Sequence, residues 1–96
     1  MAFQAARNVG KFSVSNKHLA NAGGRYRKFN TTSQREVRRI IYAALRSRNA
    51  QFLPNNQPNS YVVITNLGRK IGTKGETRVK VVVGGNGKIW TAYPIK

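Results

Sequence analysis

His18 is the single histidine of the chain. It stands beside Lys17 and shortly before a glycine pair, Gly23-Gly24, that opens onto Arg25, Tyr26, Arg27 and Lys28. An imidazole gives or takes a proton near neutral pH, and clustered cations can hold a phosphate while it does so. Further along, Lys74 and Thr77 bracket Gly75-Glu76 in a glycine-rich stretch that begins at Leu67-Gly68-Arg69, and Thr91 and Tyr93 alternate along the final run. Such cations, hydroxyls and one imidazole suit phosphoryl chemistry. One group takes a proton from an attacking hydroxyl, another protonates the leaving oxygen, and donors stabilise the charge around phosphorus. Each feature also has a plain reading: His18 as a surface or helix-capping residue, Arg25 to Lys28 as a basic loop, Gly72 to Thr77 as a β-turn lacking Walker order and spacing, and the Thr91/Tyr93 face as core.

What is missing narrows the chemistry. The 96 residues hold no Cys, and the only acidic residues are Glu36 and Glu76. That inventory cannot assemble a structural zinc site, a His-rich catalytic zinc site or a carboxylate cage for paired magnesium ions, so no cofactor is expected. A Ser-His-Asp triad lacks its Asp, and glycosidase chemistry would consume both carboxylates. Without cysteine there is no disulfide framework, and stability must come from packing. The longest apolar run, Ile40 to Leu45, is far short of a membrane span, and the start, Met1 to Phe12, has no apolar stretch of signal-peptide length.

Eighteen Lys and Arg give a formal charge of +16. Each cation that neutralises a phosphate releases counterions, so nucleic acid is the expected partner. An acidic protein and an anionic lipid surface are the other polyanions considered, but the charge is spread over helix and sheet segments alike rather than gathered on one helix in the manner of a membrane binder. Without a metal, RNA is the easier nucleic acid to cut, because the ribose 2′-hydroxyl is an internal nucleophile beside the phosphorus. Tyr26, Phe29, Tyr61 and Trp90 are candidates to stack on bases, or core residues.

The elements that must position these groups read as one α+β domain over residues 1–96. Residues 1 to 15 are weakly patterned, and Asn16 to Asn21 suggests a short helix stopped by Gly23-Gly24. Ser33 and Glu36 form a capping-box pattern ahead of Val37, Ile40, Ile41, Ala44 and Leu45, which predicts one amphipathic helix over about 34 to 48 with Arg35, Arg38, Arg39, Arg46 and Arg48 on its other side. Pro54 to Asn59 reads as a connector and Tyr61 to Ile64 as a strand. Residues 67 to 75 read either as a short strand between turns or as a loop. A hairpin follows over 77 to 93, turning at Gly84-Gly85-Asn86-Gly87 and ended by Pro94. The expected architecture is an N-terminal helix or helices packed on one face of a twisted antiparallel sheet of three to four strands, with the other face free to meet a ligand.

Taken in order, Lys17-His18-Leu19, Gly23-Gly24-Arg25-Tyr26, the helix beginning near Ser33, Phe52-Leu53-Pro54-Asn55, Leu67-Gly68-Arg69-Lys70-Ile71-Gly72, Gly75-Glu76-Thr77 and Thr91-Ala92-Tyr93-Pro94 resemble the C-terminal RNase toxin domains of bacterial polymorphic and contact-dependent growth-inhibition systems. The similarity spans about residues 16 to 95. It implies a fold similar to the barnase, EndoU, colicin and RelE superfamily and metal-free cleavage of RNA, often tRNA, in a cleft on the sheet. It also implies export as the C-terminal part of a larger effector, action in the target-cell cytoplasm and a tightly bound acidic immunity protein; a host factor in the target cell is a further partner considered.

On that resemblance His18, Lys74, Thr77, Thr91 and Tyr93 are the catalytic candidates, and Lys17, Arg25, Arg27 and Arg69 the phosphate-binding ones. A single histidine departs from members that use two, so the acid-base partner must be another residue type. The expected activity is therefore an endoribonuclease that works by 2′-oxygen attack and leaves a 2′,3′-cyclic phosphate. Its rival is a non-catalytic RNA-binding module of ribosomal-protein type, in which His18 would be incidental.

Overall fold

The computed structural model describes residues 3–96; residues 1 and 2, at the weakly patterned start, lie outside the described residues. Along the chain run helix α1 (Phe3–Arg7), helix α2 (Gln34–Arg46) and strands β1 (Gln51–Pro54), β2 (Ser60–Asn66), β3 (Arg78–Gly84) and β4 (Ile89–Ile95). The fold is α+β: α2 lies on a four-stranded antiparallel sheet of order β1-β2-β3-β4.

Helix α2 forms where the apolar spacing predicts it, and Val37, Ile40, Ile41, Ala44 and Leu45 are all buried. Burying each of the larger side chains contributes about 1.5–3 kcal/mol, which outweighs the modest helix propensity of the β-branched ones. Only half of the capping box closes. Ser33 Oγ accepts from the Glu36 amide at 3.2 Å, but the Ser33 amide donates to Thr31 Oγ1 at 3.1 Å, leaving the Glu36 carboxylate to face Arg39 at 3.9 Å. At the other end the Ala44 carbonyl accepts from the buried Thr65 hydroxyl of β2 at 2.9 Å, tying the helix to the sheet.

The weakly patterned start contributes structure as well. Ala5 and Ala6 of α1, with Val9 and Val14 after it, join the core beneath α2. The helix expected over Asn16 to Asn21 is a single 3₁₀ turn, Asn16–His18. Strand β1 adds a fourth strand where a connector was expected to begin; all four of its residues are exposed, so no burial alternation marks it in the sequence.

Register sorts the side chains of β3 onto two faces. Val79, Val81 and Val83 face the helix and pair with Pro94, Ala92 and Ile89; Lys80 and Val82 point the other way and pair with Tyr93 and Thr91. The pairing slips between Val82 and Val83, so Trp90 is an extra residue on β4. This bulge changes the face of the strand. Ile89 enters the core while Thr91 and Tyr93 turn outward, although strict alternation would hold all three together.

Pro94 does not end β4: it is fully buried within it, opposite Val79. Since β4 is an edge strand, the absent N–H of proline can fall on the unpaired side. Phe29, a stacking candidate, is fully buried in the core, and Tyr61 packs against that core and against Phe52, so both belong to the fold.

Candidate functional site

Three irregular segments pair beside the sheet and carry most of the candidate residues. His18 O accepts from Phe29 N at 2.8 Å and Thr31 O from Ala20 N at 3.0 Å, so 18–20 lies along 29–31. Ile71 O in turn accepts from Asn30 N at 2.9 Å and Lys28 O from Thr73 N at 3.0 Å, which brings 71–73 alongside. The glycine-rich stretch is thus a loop pinned by a single bridge, Phe29 to Gly72. Between 20 and 28 the chain turns back at Gly24, whose φ of 85° suits glycine, and Lys28 Nζ holds that turn by donating to the Gly24 and Tyr26 carbonyls.

His18 is buried, 7 % exposed, on the outward face of β4. Its ring stacks on Tyr93, with centroids 5.3 Å apart and planes 18° apart, and meets the edge of Tyr26 at 6.3 Å. Nδ1 lies 2.6 Å from the Arg27 carbonyl. A carbonyl only accepts, so Nδ1 carries the hydrogen, which leaves Nε2 to accept or donate a proton. No hydrogen bond engages Nε2 among the described residues, and it is not sealed from solvent. The fold therefore fixes one nitrogen and offers the other.

A cation stands beside each of the two tyrosines that flank this imidazole. Lys17 Nζ sits over the Tyr26 ring at 4.8 Å, and Lys80 Nζ lies 5.6 Å from the centroid of Tyr93. Next to Tyr26 a cavity of about 160 Å³ is lined by Arg25, Arg27, Thr73, Lys74, Glu76 and Lys96. Glu76 is the one carboxylate in it. Oε2 meets Arg27 at 3.3 Å and Oε1 accepts from the Lys74 amide at 2.9 Å. Burial works against ionising this carboxyl, but its own amide, the Lys74 amide and the Arg27 guanidinium together outweigh burial and hold it below the ordinary value of 4.5. Glu76 thus organises the turn and fixes Arg27, whose carbonyl orients His18.

Lys17, His18, Arg25, Arg27, Lys74 and Tyr93 come together in this region, and Thr91 shares the outward face with Tyr93. Two candidates do not join them. Thr77 stands just ahead of β3, half-buried and outside the cavity lined by Lys74 and Glu76, its carbonyl accepting from Leu67 N at 2.9 Å. Arg69 is exposed in the Gly68 turn, and Gly68 lines a separate cavity with Asn49, Gln51 and Arg78.

Lys80, Lys96 and Glu76 are site residues that the sequence reading did not select. For Lys80 the signal was available, since it alternates with Val79 and Val81 and so must point away from the helix. Glu76 reaches the site through the pinned loop, and Lys96 from the end of β4. The outward face itself is not wholly free, because the His18 segment covers part of it.

Among the described residues no three His, Cys, Asp or Glu side chains gather as metal ligands, and no helix is long and apolar enough to cross a membrane. Compared with protein-family models, curated proteins and solved structures, the chain matches none.

Proposed function

We propose that this domain is a metal-independent endoribonuclease toxin whose substrate is RNA, most simply tRNA, used in competition between bacteria. The observation that carries the reading is the state of His18: Nδ1 anchored on a backbone carbonyl, the ring packed between two tyrosines each with a lysine beside it, and Nε2 without a hydrogen-bond partner among the described residues. A histidine kept only for packing has no need of a free nitrogen in a positive field.

In the reaction the ribose 2′-oxygen attacks phosphorus, its proton passes to a base, the P–O5′ bond breaks, and an acid protonates the departing oxygen. The products are a 2′,3′-cyclic phosphate and a 5′-hydroxyl. His18 Nε2 performs one of the two proton transfers, a role worth about 10²–10⁴-fold in rate. Lys17, Lys80, Arg25 and Lys74 hold the phosphate and offset the charge that builds on it. Tyr93 and Thr91 bring hydroxyls to the same face. Charge steering also favours an acidic immunity protein as the inhibitor of so cationic a surface, and carriage on a larger exported effector belongs to the same reading.

The test is purified domain with total tRNA in excess chelator, beside His18→Ala and Lys74→Ala variants. Cleavage that survives the chelator, ends in a cyclic phosphate and falls in the variants without loss of RNA binding supports the reading. Intact tRNA that is bound in a salt-sensitive way would establish the RNA-binding module instead. The pH–rate profile assigns the role of His18: a rising limb that depends on it marks a base, a falling limb an acid.

A further inference from the structure

The outward face of the sheet continues beyond Tyr93 to the bulge. Gly84 ends β3 on the same side as Lys80 and Val82, opposite Ser60 of β2. A side chain there would collide with Trp90, since a Cβ at Gly84 would stand 2.5 Å from Nε1 and 3.0 Å from Cε2 of the indole. The indole thus fills the place of the missing Gly84 side chain and lies on the outward face. Two features achieve this: a bulge that turns Trp90 out of the alternation and a glycine that leaves it a seat. Trp90 nevertheless stays 42 % exposed, over a cavity of about 450 Å³ that it lines with Asn59, Gly85 and Asn86.

Stability alone does not account for the arrangement, because a large aromatic gains most when buried and this one is held in place with much of its surface in water. Trp90 is three residues from Tyr93 along β4, about 10 Å at the usual rise per residue. Between them Thr91 and Val82 form the floor, with Lys80 at the Tyr93 end.

We infer that Trp90, with Asn59 and Asn86, forms a nucleobase subsite. It stacks an unpaired base of a single-stranded RNA segment whose scissile phosphate lies at His18. The subsite rests on the proposed reading in taking single-stranded nucleic acid as the partner; it does not require cleavage. Indole stacking accepts any base, and the Asn59 side chain brings an amide group to the base edge, while Asn86, whose Oδ1 accepts from the Lys88 amide at 3.0 Å, holds the turn that frames the subsite. The domain then grips its substrate at two points on one face, the phosphate by cations and a neighbouring base by the indole.

Trp90 is the only tryptophan, so its emission reports the subsite directly. The probe is a labelled 2′-deoxy tetranucleotide, which stacks equally well but cannot be cut by 2′-oxygen attack. Its saturable binding, followed by anisotropy, should quench the Trp90 emission in parallel, and ribose 5-phosphate, which has no base, should not. Trp90→Ala should weaken binding by about five- to 150-fold, the range for losing one base–aromatic stack. Trp90→Phe should retain most of the affinity.

Unchanged emission at saturation, quenching by ribose 5-phosphate alone, or an alanine variant that binds as the parent does would each overturn the subsite. If the alanine variant melts early, the emission of the parent protein decides. Quenching without any RNA cleavage would leave the subsite standing and remove the nuclease reading; cleavage without quenching would do the reverse.

Discussion

The His18 imidazole and the Tyr93 phenol ring stack at 5.3 Å although 75 positions separate them in the chain. The pairing depends on three things: the 3₁₀ turn that ends at His18, the Arg27 carbonyl that holds Nδ1, and the β4 bulge that turns Tyr93 outward. Removing the ring and removing only the hydroxyl should therefore have different effects. Tyr93→Ala should lower kcat on RNA by about 10²-fold or more, since the imidazole loses its support and proton transfer is sensitive to placement. Tyr93→Phe keeps the stack; if the hydroxyl reacts, Phe should fall as far as Ala, and if the ring only positions His18, Phe should stay near the parent. Single-turnover cleavage of one labelled RNA separates the two roles.

Glu76 should make stability depend on acid pH. Its folded pKa lies below the ordinary 4.5, so in that range the unfolded chain binds more protons and folding stability rises with pH. The contribution is complete above about pH 4.5 and is lost as pH falls through the lowered folded value. Glu76→Gln should cost on the order of 1–2 kcal/mol at neutral pH, a modest figure because Arg27 is 38 % exposed and screened by solvent. The variant should also flatten the acid limb. Urea melts of both proteins between pH 3 and 7 measure this, and parallel curves would show that Glu76 is not the source.

Gly72→Ala probes the same carboxylate from the other side. An added methyl would stand 2.8 Å from Glu76 Cδ and closer still to Oε1, so the carboxylate must leave the Lys74 amide or the loop must shift. A cost of about 1–3 kcal/mol is expected, as for overpacking elsewhere. In a domain of this size that lowers Tm by roughly 4–8 °C for each kcal/mol. Activity should fall as well, because Arg27 and through it His18 are displaced; an unchanged Tm would mean that the loop yields freely.

Lys80 lies at the centre of the outward face, beside the Tyr93 ring. Lys80→Ala should weaken binding to all single-stranded RNAs alike and should lower the slope of log K against log salt by about 0.7, the share of one phosphate contact on a single strand. Binding isotherms at several salt concentrations give the slope. Arg69→Ala should change it much less, because Arg69 sits on the separate Gly68 turn.

Local patterns carried much of this protein. The i, i+3, i+4 spacing from Val37 to Leu45 placed α2 because helix periodicity is a property of neighbouring residues, and the β3 alternation named its two faces for the same reason. The inventory of side chains likewise limited the chemistry before any fold was known, since residues that are absent cannot be supplied by folding. Strand β1 was hidden because an edge strand with every residue exposed has no alternation to read.

Tertiary structure decided which candidate residues meet. Whether Ile89 shares a face with Thr91 and Tyr93 turned on one slipped pairing at Val82/Val83, a cross-strand event that β4 alone cannot announce. His18 joins Tyr93, and Glu76 joins Arg27, only because hydrogen bonds between the 18–20, 29–31 and 71–73 segments draw distant stretches together. Those bonds form between backbone groups, which every residue carries, so side-chain patterns leave their register unspecified.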